Sequence, residues 1–374
     1  MTVSVALIGA NGHGAWHRRR IAALGSRVRL VGLADVQPVT EPEAPVFTDH
    51  RELLSATKPD VVVICTPPHT HLPIALDALS SGCDLLLEKP PVTSLAAHHT
   101  LSAALASAGR VCQVGFQALG SVAWSRFRDA LPTLGPLTGI SAVASWKRDD
   151  AYYARAPWAG RRLVGGRPVV DGALVNPLAH AVMQALTTGT AAGAGRPREI
   201  AVERYRVRDI EVDDTAFARL TFDSGLQLLI AVTLAGEATY SGGPGIPGEI
   251  EARGSNDRAL LEYPTDRLAL PGAAVPSDVP GRTDLLTDLL DHRDSLLVPL
   301  AATADFTMVL ESLTAPDTPL PHLLTGDAVT VDGPNRTIPG INEILRKTAA
   351  TLSLPSELGV PWAVPPYRRR LPVS

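Results

Sequence analysis

Residues Val3-Ser-Val-Ala-Leu-Ile-Gly-Ala-Asn-Gly-His-Gly14 decide how this chain is read. Val3 to Ile8 is a short apolar run of strand character that passes directly into Gly9, Gly12 and Gly14, with a helical pattern from His17 to Ala23 behind them. A glycine-rich turn between a strand end and a helix start lets backbone N–H groups approach a pyrophosphate, with the positive end of the helix dipole aimed at it. The turn departs from the usual G-x-G-x-x-G: Asn11 stands where the second glycine is expected, and Gly12 follows it. A second apolar run, Leu30-Val-Gly-Leu-Ala-Asp35, ends in an acid 21 residues after Gly14. A carboxylate that binds a ribose is expected about 20 residues on. Val36 and Gln37 come next, where an arginine would be needed to neutralise a 2′-phosphate. The spacing therefore predicts NAD as the ligand, with NADP the alternative.

The same alternation continues to about residue 117. Strand-like runs at Val3–Ile8, Val28–Ala34, Val61–Cys65, Asp84–Glu88 and Val111–Phe116 are separated by helical periods near His17–Ala23, Arg51–Ala56, Leu72–Ser81 and Ser94–Ala108. Strands alternating with helices imply an α/β fold with a doubly wound parallel sheet, whose ligands bind beyond the carboxyl ends of the strands. Beyond residue 120 strand formers dominate, at 138–146, 199–208, 214–222, 226–235, 248–254 and 258–263, and Phe222-Asp-Ser-Gly-Leu226 has the composition of a hairpin turn. Helices are expected to start near Asn176 and to span Pro299–Leu313 and Ile341–Thr351, with loops at 240–248 and 271–282. The predicted organisation is a dinucleotide-binding domain over 1–120, an α+β domain with a large, mostly antiparallel open sheet over 121–354, and an extended C-terminal arm over 355–374.

Composition narrows the function. A net charge of −4 offers no basic field for nucleic acid or an anionic membrane, and Arg18–Arg20 and Arg368–Arg370 read as local solvated clusters. Cys65, Cys83 and Cys112 are odd in number and set in or beside apolar runs, which fits buried thiols in a reducing compartment. Met1 leads straight into the first strand, and no apolar run reaches the roughly 18 residues of a membrane span. A soluble, cytoplasmic protein is expected. His69-x-His71 and His98-His99 lack a Cys or carboxylate partner at metal spacing, so no metal is predicted.

Two constellations carry chemistry. Only four of the 34 basic residues are lysines, and one of them, Lys89, follows an apolar strand and precedes Pro90-Pro91. A lysine there can polarise a carbonyl or take a hydroxyl proton, which an arginine cannot practically do; the alternative is a surface lysine at a strand end. In Asn176-Pro-Leu-Ala-His180, Asn176 has the character of a helix N-cap, Pro177 of a first helical residue, and His180 would lie one turn in on the same face. His180 is either a proton shuttle to a hydroxyl or a satisfied structural histidine.

In order along the first 190 residues or so, Gly9–Gly14, Asp35, Cys65-Thr-Pro-Pro-His-Thr-His71, Glu88-Lys-Pro90, Gly115-Phe-Gln117 and the helix bearing His180 resemble the glucose-fructose oxidoreductase/inositol dehydrogenase/rhizopine-catabolism (Gfo/Idh/MocA) family. The resemblance implies an N-terminal Rossmann domain and a C-terminal domain whose sheet often forms a dimer or tetramer interface. It implies an NAD(P)-dependent dehydrogenase or reductase acting on a secondary alcohol or ketone of a sugar, sugar derivative or cyclitol. Two alternatives are a tightly held cofactor used in transient redox, for elimination or hydrolysis of a glycoside, and a non-catalytic dinucleotide-binding protein. Lys89 and His180 take the catalytic positions. Gly9, Asn11, Gly12, His13, Gly14, Asp35, Thr66, Pro67, His71, Glu88, Lys89 and Gln117 take the cofactor-binding positions. Asn176 stands where the polyol-oxidising members carry Asp, so it can bond a hydroxyl but brings no charge to His180. Lys147, Tyr153 and Trp158 lie in the stretch where such enzymes place a substrate-covering loop, although a core or interface role fits them as well.

Overall fold

A computed structural model describes residues 2–238 and 246–372; the first part of the expected loop 240–248 lies outside the described residues. The chain forms two compact units, one of Met1–Phe116 with Asp284–Thr307, the other of Gln117–Thr283 with Met308–Ser374.

The first unit begins with β1 (Val3–Ile8), α1 (Gly14–Ala23), β2 (Val28–Ala34), β3 (Val46–Phe47), α2 (His50–Thr57) and β4 (Val61–Ile64). It continues with α3 (His71–Ser80), β5 (Asp84–Leu87), α4 (Leu95–Ala108) and β6 (Cys112–Val114). The sheet order is β3-β2-β1-β4-β5-β6, every pairing parallel. Val61, Val62, Val63 and Ile64 are all buried, as expected of a strand covered by helices on both faces. Chain order reverses between β1 and β4, which opens a crevice at their carboxyl ends, the place where doubly wound sheets bind ligands. Local caps mark the helix starts: Asp49 accepts from Arg51 N–H and Ser94 from Ala97 N–H.

The second unit carries α5 (Val122–Ala130), β7 (Leu137–Ser145), a single turn α6 (Asp150–Tyr153), the short hairpin β8 (Leu163–Val164) and β9 (Arg167–Pro168), then α7 (Ala179–Ala191). Strands β10 (Pro197–Arg206), β11 (Thr215–Phe222), β12 (Gln227–Thr233), β13 (Glu249–Gly254), β14 (Arg258–Glu262), β15 (Arg267–Ala269) and β16 (Ser277–Asp278) follow. After α8 (Leu285–Asp291) and α9 (Ala304–Thr314) come β17 (His322–Leu323), the hairpin β18 (Thr330–Asp332) and β19 (Asn335–Thr337), α10 (Ile341–Thr351) and β20 (Tyr367–Arg370). The large sheet runs β16-β15-β14-β13-β7-β12-β11-β10-β17, with β20 also on β10. Only β7–β12 and β10–β17 are parallel, so the sheet is mostly antiparallel. The turn at Phe222–Leu226 closes β11 onto β12, with Gly225 at φ +85°.

Three expectations are corrected here. The boundary at 120 and the single run 121–354 fail because residues 284–307 return to the first unit. Arg293 grips Asp84 through two bonds of 2.7 and 2.9 Å, Gln113 donates to Asp288 at 2.6 Å, and Val114 N–H donates to Val298 at 2.9 Å. The arm at 355–374 is part of the second unit, since Tyr367–Arg370 extends the sheet on β10. The expected loop 271–282 contains β16, paired with β15. One face of the large sheet is covered by the chain itself over its middle strands. Val143, Phe217, Leu229 and Ala231 pack there against Ile341, Leu345 and Ala349 of α10 and against Leu354, while α7 packs on β7, β12 and β13. Among the described residues no helix is long and apolar enough to cross a membrane.

Leu345 is fully buried in that cluster. Leu345→Ala is expected to destabilise the second unit by about 2–5 kcal/mol, through lost burial and the cavity left behind. Denaturant unfolding followed by a probe in that unit measures it.

Candidate functional site

In the first unit the turn after β1 is built by close backbone approach. Gly9 has φ +88°, and a Cβ placed there would stand 2.3 Å from the Cys65 carbonyl oxygen; one on Gly14 would stand 1.8 Å from the Gly9 carbonyl. A side chain at Gly9 would push the turn off the end of β4, and one at Gly14 would run into the turn itself. Gly12, at φ +55°, faces open space, so the turn is crowded on its protein side and clear at its tip. Asp35 closes the arrangement: Asn11 N–H donates to one of its oxygens at 3.0 Å and Gln37 N–H to the other at 2.9 Å. The carboxylate is thus fixed, with acceptor capacity left on both oxygens. The Asn11 side chain turns to the Pro38 carbonyl at 3.3 Å. Open glycine tip, helix start and fixed carboxylate fit the pyrophosphate and ribose of a dinucleotide.

The other cofactor positions divide. Thr66 and Pro67 lie just after β4, where the Thr66 hydroxyl accepts from Thr70 at 2.7 Å. Lys89 is half-buried directly beyond β5, and its N–H donates to Glu88. Gln117 begins the second unit. His71 and Glu88 are corrected from cofactor ligands to groups that hold the loops. The His71 ring is fully buried between the two loops, its Nδ1 3.0 Å from the Pro90 carbonyl and its Nε2 2.7 Å from the Thr66 carbonyl, and the neutral ring donates to one of them. Burial lowers the imidazole's affinity for a proton, against the pull of those carbonyls.

Glu88 turns toward α1, where His17 Nε2 lies 2.9 Å and His13 Nε2 3.5 Å from the same oxygen. Burial pushes the Glu88 carboxyl up, but the hydrogen bonds and charges of His13 and His17 outweigh it and hold the group well below its ordinary value. Sequence reasoning missed His17, although the spacing of His13 and His17 by four residues was a legible signal. Among the described residues these three side chains form a group with ligand-type atoms within 4.8 Å of one another. The His17–Glu88 hydrogen bond already accounts for the two buried members. His13 also stacks on Trp16, with ring centroids 5.3 Å apart and planes within 6°.

In the second unit, α7 starts at Ala179 with Leu178 as N-cap and no side-chain cap, which corrects the expected start at Asn176. The Asn176 amide instead donates to Asp171 at 2.8 Å, so the competing side-chain bond wins over the cap. His180 is half-buried on the first turn, its ring 6.5 Å from that of Tyr263. Asp171, which sequence reasoning passed over, is buried and also accepts from Arg155 at 2.6 Å and from Gly160 N–H at 2.7 Å. Burial pushes its carboxyl up, and those donors pull it down. The Arg155 guanidinium lies over the rings of Tyr152, at 3.8 Å, and Trp158, at 4.7 Å. Lys147 is half-buried and its backbone bridges to Ala235. Tyr153 packs under the guanidinium of Arg208, with its hydroxyl buried. That hydroxyl has no hydrogen-bond partner among the described residues.

The fold and the turn are those of a dinucleotide-binding unit. Residues 3–116 match the family described as "Oxidoreductase family, NAD-binding Rossmann fold". An inositol 2-dehydrogenase of Burkholderia multivorans is 33% identical over 125 residues, which cover 31% of this chain and 37% of that relative. The chain therefore matches little more than a third of the length of such curated relatives. Two solved structures share the fold. The WlbA dehydrogenase of Bordetella pertussis, in complex with NADH and UDP-GlcNAcA, has a TM-score of 0.69 at 19% identity and covers 87% of this chain and 100% of its own. The aldose-aldose oxidoreductase of Caulobacter crescentus, complexed with glycerol, has a TM-score of 0.64 at 17% identity, covering 84% and 96%.

The pairing of Glu88 with two histidines predicts an acid-sensitive first unit. A carboxyl held below its ordinary value of 4.5 contributes stability that is present above that value and lost as pH falls through the folded-state value. Melting temperature followed from pH 7 down to 3 is expected to drop below about pH 4.5 in the natural protein. Glu88→Gln is expected to lower stability at pH 7 and to flatten that drop.

Proposed function

We propose that the protein is an NAD-dependent dehydrogenase or reductase acting on a secondary alcohol or ketone carbon of a sugar, sugar derivative or cyclitol. The observation that carries this reading is the fixed Asp35 carboxylate beside the open glycine turn. A diol of a ribose can donate two hydrogen bonds to such an acceptor, whereas a 2′-phosphate would meet its negative charge. Gly9, Gly12 and Gly14 would hold the pyrophosphate, Asp35 the ribose, and the Thr66-Pro67 loop would line the nucleotide. A bound nicotinamide supplies the hydride acceptor or donor at its C4. The protein's own chemistry is proton handling at the substrate oxygen. Lys89, directly beyond β5 at the same sheet edge as the glycine turn, takes or returns the hydroxyl proton through Nζ. His180 is the second unit's group for the same task, and Asn176 orients the substrate hydroxyl. The resemblance to sugar and cyclitol dehydrogenases supports this substrate class.

The test is nicotinamide absorbance across a panel of sugars, sugar acids and cyclitols, run with NAD and with NADP. Turnover is expected on at least one polyhydroxylated compound, faster with NAD. Lys89→Ala is expected to lower kcat by at least about a hundredfold, the scale of one general acid–base group, while NAD affinity stays within twofold. A panel without turnover, or unchanged kcat in Lys89→Ala, contradicts the reading.

A further inference from the structure

We propose that His13, His17 and Glu88 form a binding site for one divalent transition-metal ion of the zinc type, a site independent of the function proposed above. His13 has helical backbone, φ −66° and ψ −25°, and its carbonyl accepts from His17 N–H at 3.4 Å. The two imidazoles therefore leave one face of the helix a single turn apart, the spacing at which two histidines of one helix bind zinc in the H-E-x-x-H motif. Their ring centroids lie 5.3 Å apart with planes at 78°. Nε2 of each ring is turned to the same atom, Glu88 Oε1, at 3.5 Å from His13 and 2.9 Å from His17, and all three ligand-type atoms lie within 4.8 Å of one another. Bonds of about 2.0–2.2 Å to a tetrahedral zinc set its ligand atoms roughly 3.3–3.6 Å apart. Both nitrogens thus already stand close to the separation from the carboxylate oxygen that an ion requires.

The ligands are braced from behind. The other Glu88 oxygen accepts from Lys89 N–H at 3.1 Å, which keeps Oε1 on the histidines. A Cβ on Gly115 would stand 2.8 Å from Glu88 Cδ, so a glycine there makes the room that the carboxylate occupies. The His13 ring is held in its plane by Trp16. Groups held by outer contacts in this way lose little freedom when they bind a metal. Two nitrogens and one oxygen suit zinc and its late-transition neighbours, whereas magnesium and calcium prefer oxygen ligands. The side chains of His17 and Glu88 are 3% and 8% exposed and that of His13 55%, so an ion enters from the His13 side and keeps water as its fourth ligand there. The ion takes the place of the hydrogen between His17 Nε2 and Glu88 Oε1; that hydrogen moves to Nδ1 of the neutral ring or, from an imidazolium, to water. Once bound, the ion ties the start of α1 to the end of β5.

The experiment uses the full chain, stripped of metal by a chelator and dialysed. Zinc is titrated in competition with a chromophoric chelator, and cobalt(II) is added separately as a spectroscopic probe. The natural protein is expected to bind one zinc per chain with a Kd of about 10 μM or tighter, and to give cobalt(II) the intense visible absorption of a four-coordinate site. It is expected to keep its zinc in a roughly thousandfold excess of magnesium. His13→Ala is expected to weaken zinc at least tenfold while the Tm of the metal-free protein stays the same, and zinc is expected to raise the Tm of the natural protein but not of this variant. His99→Ala, which removes an exposed histidine outside the group, is expected to keep the natural affinity. Weaker zinc binding by the natural protein, equal affinity in His13→Ala, or an equal loss in His99→Ala overturns the proposal and leaves the three side chains a hydrogen-bonded brace only. If His13→Ala does not fold, the imidazole ¹⁵N signals of the natural protein decide: zinc is expected to move the Nε2 signals of two histidines together at one equivalent, and signals left in place overturn the site.

Discussion

The account depends on how closely the turn after β1 runs past the end of β4. Gly9 lies so near the Cys65 carbonyl, and Gly14 so near that of Gly9, that neither position has room for a side chain. That closeness brings Asn11 N–H to Asp35 and leaves Gly12 facing open space. A looser turn would separate the carboxylate from the glycine tip and leave no site for a pyrophosphate and a ribose on one strand edge. The loops behind the turn are held with equal firmness. His71 joins the Thr66 and Pro90 carbonyls, and Glu88 joins the β5 end to His13 and His17 on α1. Buried polar groups bonded in this way make a rigid frame around the strand ends.

The second unit solves a different problem. Its segment 149–180 has little regular structure of its own. A buried carboxylate serves there as an organising centre, because three donors from separate parts of the segment converge on Asp171. The middle strands of the unit's large sheet are covered by α7 on one face and by α10 with the residues that follow it on the other.

Much of this was legible in sequence where the signal is local. The strand-turn-helix of β1, the acid at 35 and the alternation of strands and helices each follow from spacing. The hairpin at 222–226 and the α10 helix were equally plain. What escaped was decided by distant partners. Nothing near Asp284 announces that residues 284–307 return to the first unit, because the cause is Arg293 meeting Asp84 and Asp288 meeting Gln113. Motif positions told which residues cluster at the strand ends but not where their side chains point, so His71 and Glu88 were taken for ligands when they face inward. Asn176-Pro177 reads as a helix start by composition, yet the amide finds a stronger acceptor in Asp171 and the helix begins three residues later. An acid within Val169-Val-Asp-Gly-Ala-Leu-Val175 was the available hint, since a carboxylate in an apolar run needs buried donors.

The most direct measurement of the central claim is dinucleotide affinity by titration calorimetry for the natural protein and Gly9→Ala. The natural protein is expected to bind NAD, and to bind it more tightly than NADP. The added methyl, at φ +88° and 2.3 Å from the Cys65 carbonyl, is expected to weaken NAD at least tenfold while the second unit's unfolding is unchanged. Equal NAD affinity in the two proteins, or tighter binding of NADP by the natural one, would contradict the account.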